Sequence, residues 1–500
     1  MNDQTISTTS QSLPRASADG QRAARTTLLL KGRLLSTLLR LSAPNVLNLL
    51  AIAGMITFDG LFLGRLGPDA LAGVSLAFPF VMLIQHTAAS GMGGGVSSAI
   101  ARALGASKRD VADALVFHAF VLALALALAA AFSTVLLLAS PFIFRWMGGH
   151  GEILWTALAY SNVAFSGAVS ICMLNLLGSA VRGTGNMGLP AGVIVGSVLA
   201  HVVLSPILIF GWGPLPALGP AGAGWGLAGT FGAGSLVLLF YLRSPRSLVT
   251  LRFRGVALRQ ALFADILKVG VPGLINVIIT NLSVMLLTGI AGRLGREVAI
   301  GYAMGARLEY ILIPLAFGFG TAIVAMVGTN WGAKQYRRAY QIAWTGAATV
   351  GASCAAIGLI VALCPTLWMD LFSKDPQIIR IGSWYLQIVG PIYGFYGLGM
   401  ALYFATQGVG RVALTVTANA VRLVVSAAFA LIAVYVFDLG AIGFFAAVAI
   451  GFVMYAALTV CAVVRLKSGP VAPKLEPLAR RESKEELSGA STPPIYSASS

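Results

Sequence analysis

The chain carries one pattern twice. Leu41-Ser42-Ala43-Pro44 opens a hydrophobic stretch that ends in Gly64-Arg65-Leu66-Gly67, and Val269-Gly270-Val271-Pro272 opens another that ends in Gly292-Arg293-Leu294-Gly295. Both the proline and the tetrapeptide recur at an offset of 228. After a one-residue slip Gly91-Met92-Gly93 answers Gly318-Phe319-Gly320, and Gly105-Ala106 answers Gly332-Ala333. Arg182-Gly183-Thr184-Gly185 then answers Gln407-Gly408-Val409-Gly410. A duplicated hydrophobic unit is a frequent plan for transporters, whose substrate path runs between the halves.

The halves are written for a bilayer. Of 500 residues 57% are hydrophobic and 10% charged, against about 25% charged in a soluble protein. Many apolar stretches approach or exceed the ~20 residues of a spanning helix and lack the alternation of a membrane β-strand. Twelve spans are expected, at 36–63, 71–100, 112–140, 153–181, 189–210, 221–243, 264–292, 298–328, 340–366, 378–405, 413–436 and 440–464. The fold class is thus an all-α polytopic membrane protein of twelve transmembrane helices. The expected layout is a disordered tail at 1–35, a first lobe at 36–243, a basic linker at 244–263, a second lobe at 264–466 and a disordered tail at 467–500.

A net charge of +17 invites a nucleic-acid reading, but the placement of the charge argues otherwise. Lys31, Arg33, Lys108, Arg109, Arg246, Arg252, Arg254, Arg259, Lys334, Arg337 and Arg338 fall on one side of the spans. Arg65, Arg145, Arg293, Arg296, Lys374 and Arg380 fall on the other. This is the positive-inside bias, with both termini cytoplasmic and membrane lipids as partners. No apolar leader core lies in residues 1–33. High glycine and alanine content points to a bacterial source, hence an inner (plasma) membrane location. Cys172, Cys354, Cys364 and Cys461 show no metal-ligand spacing and are expected to be small buried hydrophobes.

The ordered set of motifs resembles the multidrug and toxic compound extrusion family. It comprises the proline-bearing first span with Asp59 before Gly64-Arg65-Leu66-Gly67, Gly105-Ala106 after the second, and Arg182-Gly183-Thr184-Gly185 after the fourth. Pro206-Ile207-Leu208-Ile209-Phe210-Gly211 and Gly219-Pro220-Ala221-Gly222-Ala223 complete it. The resemblance covers about 36–465. It implies two six-helix lobes in a V and export of organic, cationic or amphipathic compounds in exchange for H⁺ or Na⁺. No other cofactor and no metal site are expected, and the chain is read as a monomer.

Ionisable groups inside spans are costly and so ask for a reason. Asp59 lies fifteen residues beyond Pro44, roughly 22 Å along a helix. The resemblance assigns an acid at this position to cation coupling; a carboxylate paired with Arg65 is the plainer alternative. One branch of the family has an Asp and an Asn in the fifth span where this chain has Ser205 and His201. His201, near mid-span, would carry the proton, bind substrate, or pack against Ser197. Another branch has a Glu in the seventh span, where Thr280 stands here, and an Asp in the tenth, where no acid occurs. H⁺ is therefore favoured over Na⁺. Glu309 remains in the eighth span as a coupling candidate; a structural pair with Arg422 of the eleventh span is the alternative. Phe78, Met82, Gln85, Tyr302, Tyr310, Tyr393 and Tyr396 are aromatic, sulfur or amide candidates for a substrate cavity, with Ser205, Thr280 and Arg422.

An enzyme would need clustered catalytic groups, and the sequence has no HExxH and no P-loop. Gly183-Thr184-Gly185 lacks the βαβ setting of a nucleotide fingerprint. A lipid-linked oligosaccharide flippase of the same superfamily is the transport alternative, but it would want more cavity cations than Arg307 and Arg422.

Overall fold

With no water to satisfy backbone N–H and C=O groups in hydrocarbon, apolar spans fold as helices that satisfy them internally. A computed structural model describes residues 25–129, 132–212 and 216–466, and its long elements are all helices. In the first half the helices are Leu34–Leu66, Pro68–Gly105 with a π-turn at Thr87–Met92, Arg109–Ala129 and Phe132–Trp146. They continue with Gly151–Ser166 and Ala168–Gly183, then Gly188–Phe210 and Pro220–Arg243. In the second half they are Gln260–Arg293, Arg296–Ala306, Glu309–Gly332, Tyr336–Leu363 and Pro365–Met369. Pro376–Val389, Tyr393–Val409, Ala413–Tyr435 and Gly440–Leu466 follow.

Among the described residues ten helices are long and apolar enough to cross a membrane, and the pair bent by 45° at Gly167 makes an eleventh. The expected third span corresponds to Arg109–Ala129 and Phe132–Trp146, on either side of residues 130–131, which lie outside the described part. Pro44 and Pro272 sit inside their helices rather than at their starts.

The duplication is repeated in the backbone. Gly67 and Gly295 hold φ at 133° and 128°, a region open to glycine alone at low cost, and each turns the chain into the next span. Ser107 and Lys334 match at 59° and 60°, Gly185 and Gly410 at 80° and 83°. Each half buries its own core, around Phe144, Phe165 and Phe231 in the first and Phe444, Phe445 and Phe452 in the second. Lys31, Lys108, Lys334 and Arg411 share one end of the bundle, the basic end.

Three expectations do not survive in the structure. Residues 25–31 form a short helix with Leu29 buried, so the first tail does not run unstructured to 35; its remainder, 1–24, and the tail 467–500 lie outside the described residues. Cys364 and Cys461 are exposed rather than buried, while Cys172 and Cys354 are buried as expected. Glu309 and Arg422 do not form an ion pair: among the described residues no carboxylate lies within 4 Å of Arg422.

Candidate functional site

In the first half, the first and fifth spans pack along their length, and this contact brings Asp59, His201 and Ser205 together. His201 Nε2 lies 2.8 Å from Asp59 Oδ1 and 3.0 Å from Oδ2, so the ring donates to the carboxylate. Ser205 Oγ donates to Oδ1 at 3.1 Å. The imidazole is fully buried while the carboxylate keeps 19% of its surface. Gly226 of the sixth span lets that helix lie against the ring, since a Cβ there would sit 3.2 Å from Cε1 and Nδ1. Nδ1 itself is buried with no partner. Asp59 is thus engaged by His201 and Ser205, not by Arg65, and His201 turns to Asp59 rather than to Ser197.

The equivalent contact in the second half, between the seventh and eleventh spans, is polar in a different way. Arg422 Nε donates to Asn419 Oδ1 at 2.9 Å and Nη2 to Ser283 Oγ at 3.2 Å, with the guanidinium 5.5 Å above the Phe452 ring. Asn419 Nδ2 in turn donates to Asn276 Oδ1 at 2.8 Å and to Thr280 Oγ1 at 3.1 Å. Glu309 makes no hydrogen bond or ion pair within 4 Å to this group, although its charge and that of Arg422 are near enough to interact. It opens the helix Glu309–Gly332 after a break at Arg307 and Leu308, where the helix N-terminus favours a negative charge. Tyr385 donates to it at 3.0 Å, and the Tyr385 and Tyr393 hydroxyls are 3.2 Å apart.

The remaining candidates scatter. Gln85 is buried with Oε1 unpartnered, and Phe78 and Met82 are half-buried along the same helix. Tyr302, Tyr393 and Tyr396 are buried in the second core, Tyr302 edge-on to Tyr385 and Tyr396 tilted against Phe452. The side chain of Tyr310 lies outside the described residues. Among the described residues no group of three His, Cys, Asp or Glu is placed to hold a metal ion.

Sequence reasoning missed the seam between the halves. The helix ends Gly105 and Gly332 cross so closely that a Cβ on Gly105 would lie 2.0 Å from the Thr329 carbonyl oxygen, and one on Gly332 would lie 2.1 Å from that of Arg102. Ser98 hydrogen-bonds the carbonyls of Gln407 and Gly408 across the seam, and Asn45 Nδ2 donates to Thr321 Oγ1 at 2.7 Å. Arg102 pairs with Asp265 at 2.9 Å. Leu29 lies over Gly185 of the first half while Asn330 of the second donates to its carbonyl at 3.0 Å. These bridging contacts all lie in the part of the spans nearer the basic end, so the molecule is closed there. The duplicated Gly-Ala pairs were the available signal; their mutual contact was not readable from spacing.

The comparisons with known proteins converge on this arrangement. The MatE family model matches residues 44–207 and 272–432. An FAD transporter of Shewanella oneidensis is 27% identical over 375 residues, 74% of this chain and 80% of that protein. The multidrug resistance protein PmpM of Pseudomonas aeruginosa is 25% identical over 356 residues, 70% of this chain and 73% of its own. Among solved structures, the outward-facing conformation of a multidrug resistance MATE family transporter superposes with a TM-score of 0.80 at 25% identity, over 89% of this chain and 98% of that one. A transporter from Pyrococcus furiosus described as having a binding pocket of reverse polarity gives 0.78 at 27%, with the same coverage. Two matched segments that begin at the equivalent prolines Pro44 and Pro272, and meet at equivalent glycines, make this chain a member of the MatE family, the multidrug and toxic compound extrusion transporters.

Proposed function

We propose that the protein is an inner-membrane antiporter that exports organic, cationic or amphipathic compounds in exchange for H⁺, by alternating access of its two lobes with the basic end cytoplasmic. The observation that carries this reading is the Asp59–His201 pair. A carboxylate and a buried imidazole in hydrogen-bond contact share a proton readily, and the unpartnered Nδ1 of His201 offers a second seat for one. The nitrogen partner also speaks for H⁺ over Na⁺, a hard cation that prefers oxygen ligands. One proton crossing ~100 mV releases about 2.3 kcal/mol, enough for roughly a fifty-fold gradient. Everted vesicles loaded with an imposed ΔpH and a fluorescent organic cation test it. ΔpH-dependent, Na⁺-independent transport that Asp59→Asn abolishes supports the reading; transport driven by Na⁺ alone overturns the H⁺ assignment.

A second reading, export of an organic anion, is favoured by Arg422. A buried guanidinium held by the neutral groups of Asn419, Ser283 and Phe452, with no carboxylate within 4 Å among the described residues, leaves donors for a ligand, and the Shewanella oneidensis relative is named for FAD. Faster vesicle transport of FAD than of the cation, lost in Arg422→Gln, would place this reading first.

A further inference from the structure

We propose that a crevice on the second lobe at the basic end is a binding site for the headgroup of an anionic membrane phospholipid. The crevice has a volume of about 290 Å³ and lies between the eighth, ninth, tenth and twelfth spans, away from Asp59 and from Arg422. Its walls are mostly carbon, with Ala405 and Leu466 on one side. Trp331 and Tyr336 meet edge to face at 4.7 Å along the rim, and Tyr340 lies one turn further on. Tryptophan and tyrosine belong at the level of lipid headgroups, where one part of the ring is dry and the other wet.

Arg337 gives the site its sign. It lines the crevice, is exposed, and makes no hydrogen bond or ion pair among the described residues. Its neighbour Arg338 is already committed to the carbonyl of Gly32, so the two adjacent arginines differ in what they leave free. Exposed Lys334 stands one turn before Arg338. A guanidinium above an apolar slot between helices matches a lipid phosphate above its acyl chain, with two parallel N–H donors offered to phosphate oxygens. The volume suits the glycerophosphate unit, and the acyl tails would continue into the bilayer. The assignment rests on the membrane reading of the chain and on the basic end facing the anionic leaflet, but not on H⁺ coupling.

The test uses the full-length protein in phosphatidylcholine vesicles with added dibrominated phosphatidylglycerol or dibrominated phosphatidylcholine. Quenching of Trp331 is read as the difference between intact protein and Trp331→Phe. The expected result is half-maximal quenching at a mole fraction of phosphatidylglycerol about five-fold lower than of phosphatidylcholine, the size expected for one basic side chain at an anionic surface. Arg337→Gln should erase that preference while leaving Trp331 quenchable by both lipids. Equal quenching by the two lipids overturns the proposal, as does a preference that survives Arg337→Gln. Quenching that appears only after residues 468–500 are deleted also overturns it, because the crevice would then belong to the chain's own C-terminal segment. No gradient or substrate enters the measurement, so its failure leaves the antiport reading standing, and failure of ΔpH-driven transport leaves the lipid site standing.

Discussion

The contact between the first and fifth spans and its equivalent between the seventh and eleventh are built on the same duplicated scaffold with opposite electrostatics. The first holds a carboxylate on an imidazole and a hydroxyl; the second holds a guanidinium on an amide and a hydroxyl. Packing is shared between the halves because it is set by where glycines and prolines fall. Charge is not, because polar substitutions along the paired helices reset it without altering the backbone. The duplicated fold therefore supplies two equivalent sockets whose side chains suit them to different work. In the proposed reading the first serves as a proton seat, while the second holds a guanidinium among neutral partners.

The largest effect expected from breaking that difference lies at Asp59. Asp59→Asn keeps the shape and the hydrogen bond from Ser205 but removes the carboxylate. ΔpH-driven efflux should fall to the background of empty vesicles, and His201→Gln should lose most of it, since Gln cannot take a proton on Nδ1. Arg422→Gln should leave ΔpH coupling in place. If Asp59→Asn and Arg422→Gln lose coupling equally, the division of labour between the sockets is wrong.

Next in size is the seam that joins the sockets. Gly332→Val puts a side chain into the Arg102 carbonyl, a backbone atom that cannot swing aside. Overpacking of this kind costs about 1–3 kcal/mol, so closure at the basic end should weaken by roughly five- to 140-fold. A cysteine at Ser98 should then react faster with a bulky maleimide. Gly192→Ala, at a site with nothing within 4 Å, is the control and should change nothing.

How much of this is legible in the sequence follows the same physics. Span positions and the duplication are readable because hydropathy, prolines and glycines are local features with a fixed period. Asp59 and His201 stand out because an ionisable group in an apolar span is costly, yet their contact joins positions 142 apart and needs helix packing to reveal it. Glu309 stands out for the same reason, but its partner does not: Tyr385 is one tyrosine among many in sequence, and only the break at Arg307 and Leu308 turns Glu309 toward it. Arg102 and Asp265 escape notice because charges near span ends are ordinary. Trp331 and Tyr336 are common aromatic residues until the crevice beside them is visible.

A smaller effect is expected at Arg422. Were it one half of a buried ion pair with Glu309, removing it would cost about 3–5 kcal/mol. Because its partners are neutral, Arg422→Met should cost only the stranded acceptor on Asn419, roughly 1–3 kcal/mol. Thermal unfolding of the purified protein in detergent separates the two. Glu309→Gln combined with Arg422→Met should give nearly additive losses, as expected for residues not in contact. A strongly non-additive cycle would show that the two charges act as a pair despite their separation.

The smallest effect should come from the ion pair that crosses the seam. Arg102 and Asp265 keep 13% and 30% of their side-chain surface, and Asp265 also meets Lys268 at 2.5 Å. A partly exposed pair of this kind is worth about 0.2–1 kcal/mol, and salt screens it. Asp265→Asn should therefore loosen closure at the basic end by no more than about five-fold, visible as faster maleimide reaction at Ser98→Cys in low salt and absent in high salt. Gly332→Val, whose cost is steric, should show the same acceleration at every salt concentration. The salt dependence thus sorts what holds the halves together, and a salt-sensitive Gly332→Val would mean that charge, rather than the glycine crossing, closes the molecule.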